Sequence, residues 1–291
     1  MDPLATRLDK KSLEIRKVIV NTMKKAGKGH PASAFSIVEI TRVLYDDILK
    51  YEPKNPKWAL RDRFILSKGH GCLALYVVLA EKGFFPKQEL DRFCALDGLL
   101  GGHPETKIPG VEVATGSLGH GLSVGIGMAL NARYEKAKHK VFVLIGDGES
   151  DEGAIWEAAL LAGKHKLDNL VVIQDYNKCQ SYGPTCEVQD LEPLADKWKS
   201  FGFAVREIDG HDINQIKKAL SSLPIEKGKP SIIICHTVKG KGVSFMENDT
   251  RWHHPKPSDD EYEQMYKEVC WENHPACFND SLKKTGVKKR T

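Results

Sequence analysis

With 291 residues, 41% of them hydrophobic, the chain can bury one large α/β core, and no stretch approaches the roughly 18 consecutive apolar residues that span a bilayer. Its net charge of +4 arises from the segment 283–291, which holds five Lys/Arg and no acid; the other 38 basic residues face 39 acidic ones, which excludes a basic nucleic-acid face on the folded part. Seven scattered cysteines without a C-x-x-C pair argue against a disulfide framework or a structural zinc site, and the N-terminus lacks the apolar core of a signal peptide. A cytoplasmic protein with reduced thiols is expected, with 1–270 as one folded domain and 271–291 as a disordered basic tail.

From Ser12, the apolar positions Ile15, Val18, Ile19, Met23 and Ala26 share one helical face, and Gly27 supplies a stop. A second helix is predicted from about Ser33, with Ile37, Ile40, Leu44 and Ile48 on its buried side. Phe64 to Leu66 reads as a short buried strand ending in a glycine turn, and CLALYVVLAEKG as a helix closed by Gly83. The clearest pattern covers 141–177: a strand VFVLI, the turn GDGESDEG, a helix AIWEAALLAGKHK and a second strand LVVIQDYN. Such a βαβ unit makes its two strands parallel and adjacent or nearly so. FAVREI and PSIIICHTV read as further strands with the helical INQIKKALSSL between them. The alternation predicts an α/β fold, a doubly wound parallel sheet with helices on both faces.

In open parallel sheets, ligands sit outside the carboxyl ends of the strands, where Asp147 and Asn177 both fall, one helix apart. Adjacent strands lie about 4.8 Å apart, so the two side-chain oxygens could converge on one ion. A carboxylate and an amide oxygen, joined by a backbone carbonyl just after Asn177, would suit Mg²⁺ or Ca²⁺ and leave room for phosphate oxygens. Gly146 and Gly148 let backbone N–H groups approach an anion, and the next helix offers its N-terminus to the same charge. Turns favour Gly and Asp for conformational reasons alone. The Asn that follows strand, helix and strand in order shifts the balance toward a site. Neither G-x-x-x-x-G-K-[ST] nor G-x-G-x-x-G after a strand is present, which removes support for nucleotide binding.

Four histidines sit in glycine-flanked turns: His30, His70, His103 and His120; His253 and His254 follow Trp252. Any one of them could be a surface or capping residue. Imidazoles exchange protons near neutral pH, so the repeated context fits a site that handles hydroxyls and alkoxides.

The segment GDGESDEGAIWEAALLAGKHKLDNLVVIQDYNK resembles the thiamine-diphosphate signature in its transketolase form. GHPASAFS, LSKGHG, GGHPE and TGSLGHGLSVGIGMAL resemble further transketolase motifs, and the likeness runs from about residue 10 to 255. The resemblance implies Asp147, Asn177 and the Cys179 carbonyl as metal ligands, Gly148 at the diphosphate, and Gly146 and Glu149 among the cofactor contacts. It places Gly116 and Leu118 at the cofactor's border, His70 beside thiazolium and diphosphate, His30 and His103 on donor hydroxyls, and His253 in proton transfer. Glu152 matches an acid that reaches across a subunit interface. His120 stands where many relatives carry Gln, and its role stays open. His254 occupies a usual Gly position, which leaves the choice between His253 and His254 open.

The implied reaction moves a two-carbon ketol unit from a ketose to an aldose acceptor, with sugars or sugar phosphates as substrates. In the family, the carboxylate that protonates the aminopyrimidine ring lies in a second domain following this one. The sequence reaches Thr291 without it. A separate pyrimidine-domain subunit is therefore expected, in an α2β2 assembly. A related enzyme of a specialised biosynthetic pathway with an unusual substrate, and a non-catalytic scaffold, are the alternatives. The intact set of Asp147, Gly148, Asn177, His30, His70 and His103 speaks against the scaffold.

Overall fold

Alternate residues of a strand face opposite ways, and here both ways lead inward. The computed structural model describes residues 2–270; the expected basic tail, 271–291, lies outside the described residues. Its five strands are β1 (Arg63–Leu66), β2 (Val141–Gly146), β3 (Leu170–Tyr176), β4 (Ala204–Asp209) and β5 (Ser231–His236). They form one sheet in the order β1-β2-β3-β5-β4, and every neighbouring pair is parallel. Phe64, Leu66, Phe142, Leu144, Val171, Ile173 and Ile233 enter the core on one face. Ile65, Val143, Ile145, Val172, Ile232 and Ile234 enter a second core on the other. Burial on both faces is why these strands read as continuous apolar runs.

The helices are α1 (Lys10–Ala26), α2 (Pro31–Phe35), α3 (Val38–Val43), α4 (Cys72–Glu81), α5 (His120–Tyr134), α6 (Gly153–Lys164), α7 (Thr185–Val188), α8 (Leu194–Ser200), α9 (Ile213–Ser221) and α10 (Asp259–Val269). The first face is covered by α1–α4, α9 and α10, through residues such as Ile19, Phe35, Leu73, Ile216 and Met265. The second is covered by α5, α6 and α8, through Leu122, Ile126, Ile155, Ala159 and Trp198. The doubly wound parallel sheet expected from the sequence is the observed fold. No helix among the described residues is long and apolar enough to cross a membrane.

Helix α1 ends at Gly27, whose φ of 66° is left-handed and whose N–H returns to the Met23 carbonyl. The helix expected from Ser33 through Ile48 is instead broken into α2, α3 and a π-helical turn over Leu44–Ile48. Ser36 accounts for the first break. Its hydroxyl bonds both to the Ser33 carbonyl at 3.1 Å and to Asp175 at 2.7 Å, competing with the regular ladder.

Candidate active site

Four neighbouring strand ends build the site. β1 runs into Lys68, β2 into Asp147, β3 into Asn177 and β5 into the turn carrying Lys239. Gly146 pairs with Asp175 in the ladder, so the residues just beyond them emerge side by side. The Asp147 carboxylate accepts from the Gly148 N–H at 2.8 Å and the Lys178 N–H at 2.6 Å. Asn177 accepts from the Cys179 N–H at 3.1 Å through Oδ1, and donates from Nδ2 to Asp175 at 3.1 Å.

Burial, reinforced by the nearby Asp175 charge, raises the Asp147 pKa to about 6. Its own chain thus leaves this carboxylate short of positive charge. With the Asn177 amide oxygen and the Cys179 carbonyl alongside, the donor set fits a hard cation. Lys239 already brings one positive charge to that edge: its Nζ donates to the Cys179 carbonyl at 2.9 Å and the Gln180 carbonyl at 3.0 Å.

A cleft of about 460 Å³ lies over these strand ends. It brings together His30, His70, His103, His253, Gly116, Leu118, Gly146, Asp147, Gly148, Glu149, Asn177 and Cys179, together with Lys68, Lys239 and Glu152. The imidazoles form a cluster, with the His30 ring centre 5.6 Å from His70, 6.1 Å from His103, 5.3 Å from His253 and 4.7 Å from His254. His254 is exposed and outside the cleft lining, whereas His253 is half-buried within it. His120 lies apart, exposed at the start of α5 with its ring against Ser117 and the Leu118 carbonyl.

Burial first, then the neighbouring His253, lowers the His30 pKa to about 3. Burial and the adjacent Lys239 and Lys68 bring His253 to about 4. His70 is held well below its ordinary value by burial and Lys68, and His103 is lowered by burial. At neutral pH these rings are uncharged and able to donate or accept a hydrogen bond. The buried Nδ1 of His253 has no partner within the protein, an atom left for a ligand.

Gly116 has φ of 142°, and a Cβ there would stand 2.8 Å from Cδ2 of His103. That close approach is what lets the 115–118 loop lie against the imidazole. Glu149 lines the cleft, but its carboxylate is occupied: Oε1 accepts from Ser67 and from the Gly119 N–H, and Oε2 accepts from the Gly146 N–H at 3.2 Å. It ties the end of β1, the 116–119 loop and the end of β2 together, and burial raises its pKa.

Sequence reasoning did not single out Lys68, Lys239 or Asp175. Asp175 is fully buried and receives Lys68, Ser36, Thr237 and Asn177. Burial opposes its charge, yet Lys68 and these donors hold its pKa below the ordinary value. Lys68 and Lys239 are themselves 2% and 3% exposed, far below what a lysine in a Lys-Gly turn suggests.

A parallel-sheet domain with anion-facing turns, an oxygen donor set and a pocket of neutral imidazoles belongs to the cofactor-binding α/β domains of enzymes. A family described as "Transketolase, thiamine diphosphate binding domain" matches residues 9–285. One of the two subunits named for the apulose-4-phosphate transketolase of Phocaeicola vulgatus is 45% identical over 262 residues, covering 90% of this chain and 93% of that protein. The 6-deoxy-6-sulfo-D-fructose transketolase subunit of a Clostridium species is 44% identical over 254 residues, 87% of this chain and 91% of that one. The crystal structure of transketolase from Campylobacter jejuni superposes with a TM-score of 0.84 at 32% identity, covering 89% of this chain but 42% of that one. The chain belongs to the transketolase family and carries its thiamine-diphosphate-binding domain.

Proposed function

We propose that this chain is the diphosphate- and metal-binding subunit of a two-subunit transketolase, moving a two-carbon ketol unit from a ketose to an aldose acceptor in concert with a pyrimidine-domain partner. The observation that carries the proposal is the single cleft in which the Asp147–Asn177 pair and Lys239 meet the neutral histidine cluster. Asp147, Asn177 and the Cys179 carbonyl would hold Mg²⁺ or Ca²⁺, and Gly148 with Lys239 would face the diphosphate. When bound, thiamine diphosphate supplies the nucleophilic carbon at which the ketose C–C bond is broken.

The protein's own contribution is binding and proton handling. His30 and His103 take donor hydroxyls, His70 packs beside the cofactor ring, and His253 relays a proton through the Nδ1 that lacks an internal partner. Uncharged rings suit this role because each can accept a hydroxyl proton. The names of the two relatives, each tied to an unusual sugar, favour a ketose or ketose phosphate outside the common set. Both relatives are named as subunits of their enzymes, which supports a separate partner here, and an α2β2 assembly would satisfy it.

The test is two-carbon transfer measured with the purified chain, with and without a pyrimidine-domain subunit, over a panel of ketose donors and aldehyde acceptors in saturating thiamine diphosphate and Mg²⁺. Activity should appear only when both chains are present. Robust turnover by this chain alone would refute the split arrangement, and a complex that binds no cofactor would refute the assignment of the cleft.

A further inference from the structure

Far from the histidine cluster, the protein buries three charge-bearing side chains that the proposed chemistry does not use: Arg16, Glu39 and His211 are 0%, 1% and 2% exposed. Burying ions is costly, so such a group calls for an account beyond stability. Arg16 of α1 makes a double contact with Glu39 of α3, with Nη2 to Oε2 at 2.9 Å. Glu39 Oε2 also meets His211 Nδ1 at 2.8 Å. The far side of the imidazole, Nε2, lies 2.9 Å from the backbone nitrogen of Val238. A backbone N–H only donates, so Nε2 must be the unprotonated acceptor, and the ring proton sits on Nδ1, directed at Glu39.

The segment gripped in this way is the turn that presents Lys239. His211 holds it at the Val238 N–H, and Arg16 Nε holds its other end at the Lys241 carbonyl, 2.7 Å away. Between these anchors Gly240 donates to the Ala32 carbonyl at 3.0 Å, and the Lys239 carbonyl accepts from Asn248 at 2.8 Å. With its backbone fixed at both ends, the Lys239 side chain can reach only one way, to the Cys179 and Gln180 carbonyls at the cleft edge.

We infer that His211 is a positioning residue for the cofactor's diphosphate: its Nε2 holds the Val238 N–H and so aims Lys239 into the cleft. The inference rests on Lys239 facing the diphosphate, as proposed above. Two substitutions separate positioning from plain packing. His211→Asn keeps an N–H near the Nδ1 position for Glu39 but offers no acceptor to Val238. His211→Gln places an amide oxygen near the Nε2 position and restores it.

The experiment is calorimetric titration of thiamine diphosphate, in excess Mg²⁺, into the full chain and its variants, with denaturation midpoints measured in parallel. His211→Asn should bind about tenfold more weakly, the size of one lost hydrogen bond, while His211→Gln stays within about twofold of the unaltered protein. In a Lys239→Ala background, His211→Asn should add no further loss, because its effect runs through that ammonium. If Lys239→Ala weakens binding and His211→Asn does not, or if the His211→Asn loss persists without Lys239, the inference alone fails. If the unaltered chain does not bind, or Lys239→Ala changes nothing, the assignment of the cleft fails and the inference with it.

Discussion

Replacing Lys68 by Met keeps most of the side-chain volume and removes the ammonium that meets Asp175. Both residues are buried, at 2% and 0% exposure, so the carboxylate cannot turn to water instead. Breaking a buried pair by removing one partner costs about 3–5 kcal/mol. Asp175 keeps the Ser36 and Thr237 hydroxyls and the Asn177 amide, and Lys239 still exerts an attraction on it. The loss should therefore fall at the lower end, about 3 kcal/mol at pH 8.

The sign of the pH dependence follows from the same geometry. With Lys68 present, the Asp175 pKa is lowered in the native state, a stabilisation that holds above the unfolded value and is lost as pH falls. Without it, burial dominates and the native pKa rises above the unfolded one, so the variant is penalised at high pH and recovers as Asp175 takes a proton. The difference between the two proteins should shrink from pH 8 to pH 5. Urea denaturation of both at pH 8, 6.5 and 5 measures it. Adding Asp175→Asn to the variant should return part of the loss, since a neutral amide needs no counter-charge. A loss below about 1 kcal/mol at pH 8, in the range of exposed pairs, would refute the reasoning, as would a larger loss unchanged across pH.

His103→Ala should lower turnover with ketose donors about ten- to a hundredfold, the size of one hydrogen bond to a group developing charge, with little change in cofactor affinity; a loss confined to affinity would move the residue to the diphosphate side. Gly116→Ala forces a φ of 142° on an L-residue and drives its Cβ against the His103 ring, so a destabilisation of about 1–3 kcal/mol with a matching fall in turnover is expected in melting and kinetic assays. Asp147→Ala or Asn177→Ala should abolish metal-dependent cofactor binding and leave the circular dichroism spectrum intact, and full activity at limiting metal would show the donor set to be wrong. The lowered values of His30, His70, His103 and His253 mean that the unfolded chain binds more protons below about pH 6.5. The melting temperature should therefore fall between pH 7 and pH 5, against a smaller opposing effect of the raised carboxyls Asp147 and Glu149; a rise over that interval would overturn the account.

The five strands were legible because each is an apolar run closed by a turn, and the βαβ unit at 141–177 also fixed which strand ends face one another. Helix α5 was not legible, since Gly119, Gly121, Gly125 and Gly127 look like turn signals in sequence. The structure gives two of them a packing reason: a Cβ on Gly125 would stand 2.5 Å from Val143, and one on Gly121 would strike Ser67, so α5 lies directly on the sheet. The glycine flanks exposed the histidines one by one, and their convergence came from the resemblance and then the fold. Lys68 and Lys239 stayed hidden because a Lys-Gly pair reads as a solvated turn. Only the adjacency of β1, β3 and β5 brings a buried carboxylate and two carbonyls within their reach. Ser36 likewise broke a helix on account of Asp175, a residue 139 positions away that no local pattern announces.

The cleft draws its walls from His30 near the start of the described chain to His253 near its end, and from four strand ends in between. No shorter stretch of the polypeptide contains a recognisable fraction of it, so a partly folded chain has nothing with which to hold the ligand. Binding then acts only on the finished structure, and at a hundredfold excess of ligand over Kd it deepens that state by about 2.7 kcal/mol. The supply of cofactor thus governs how long each folded copy survives unfolding and proteolysis, as well as how fast it turns over.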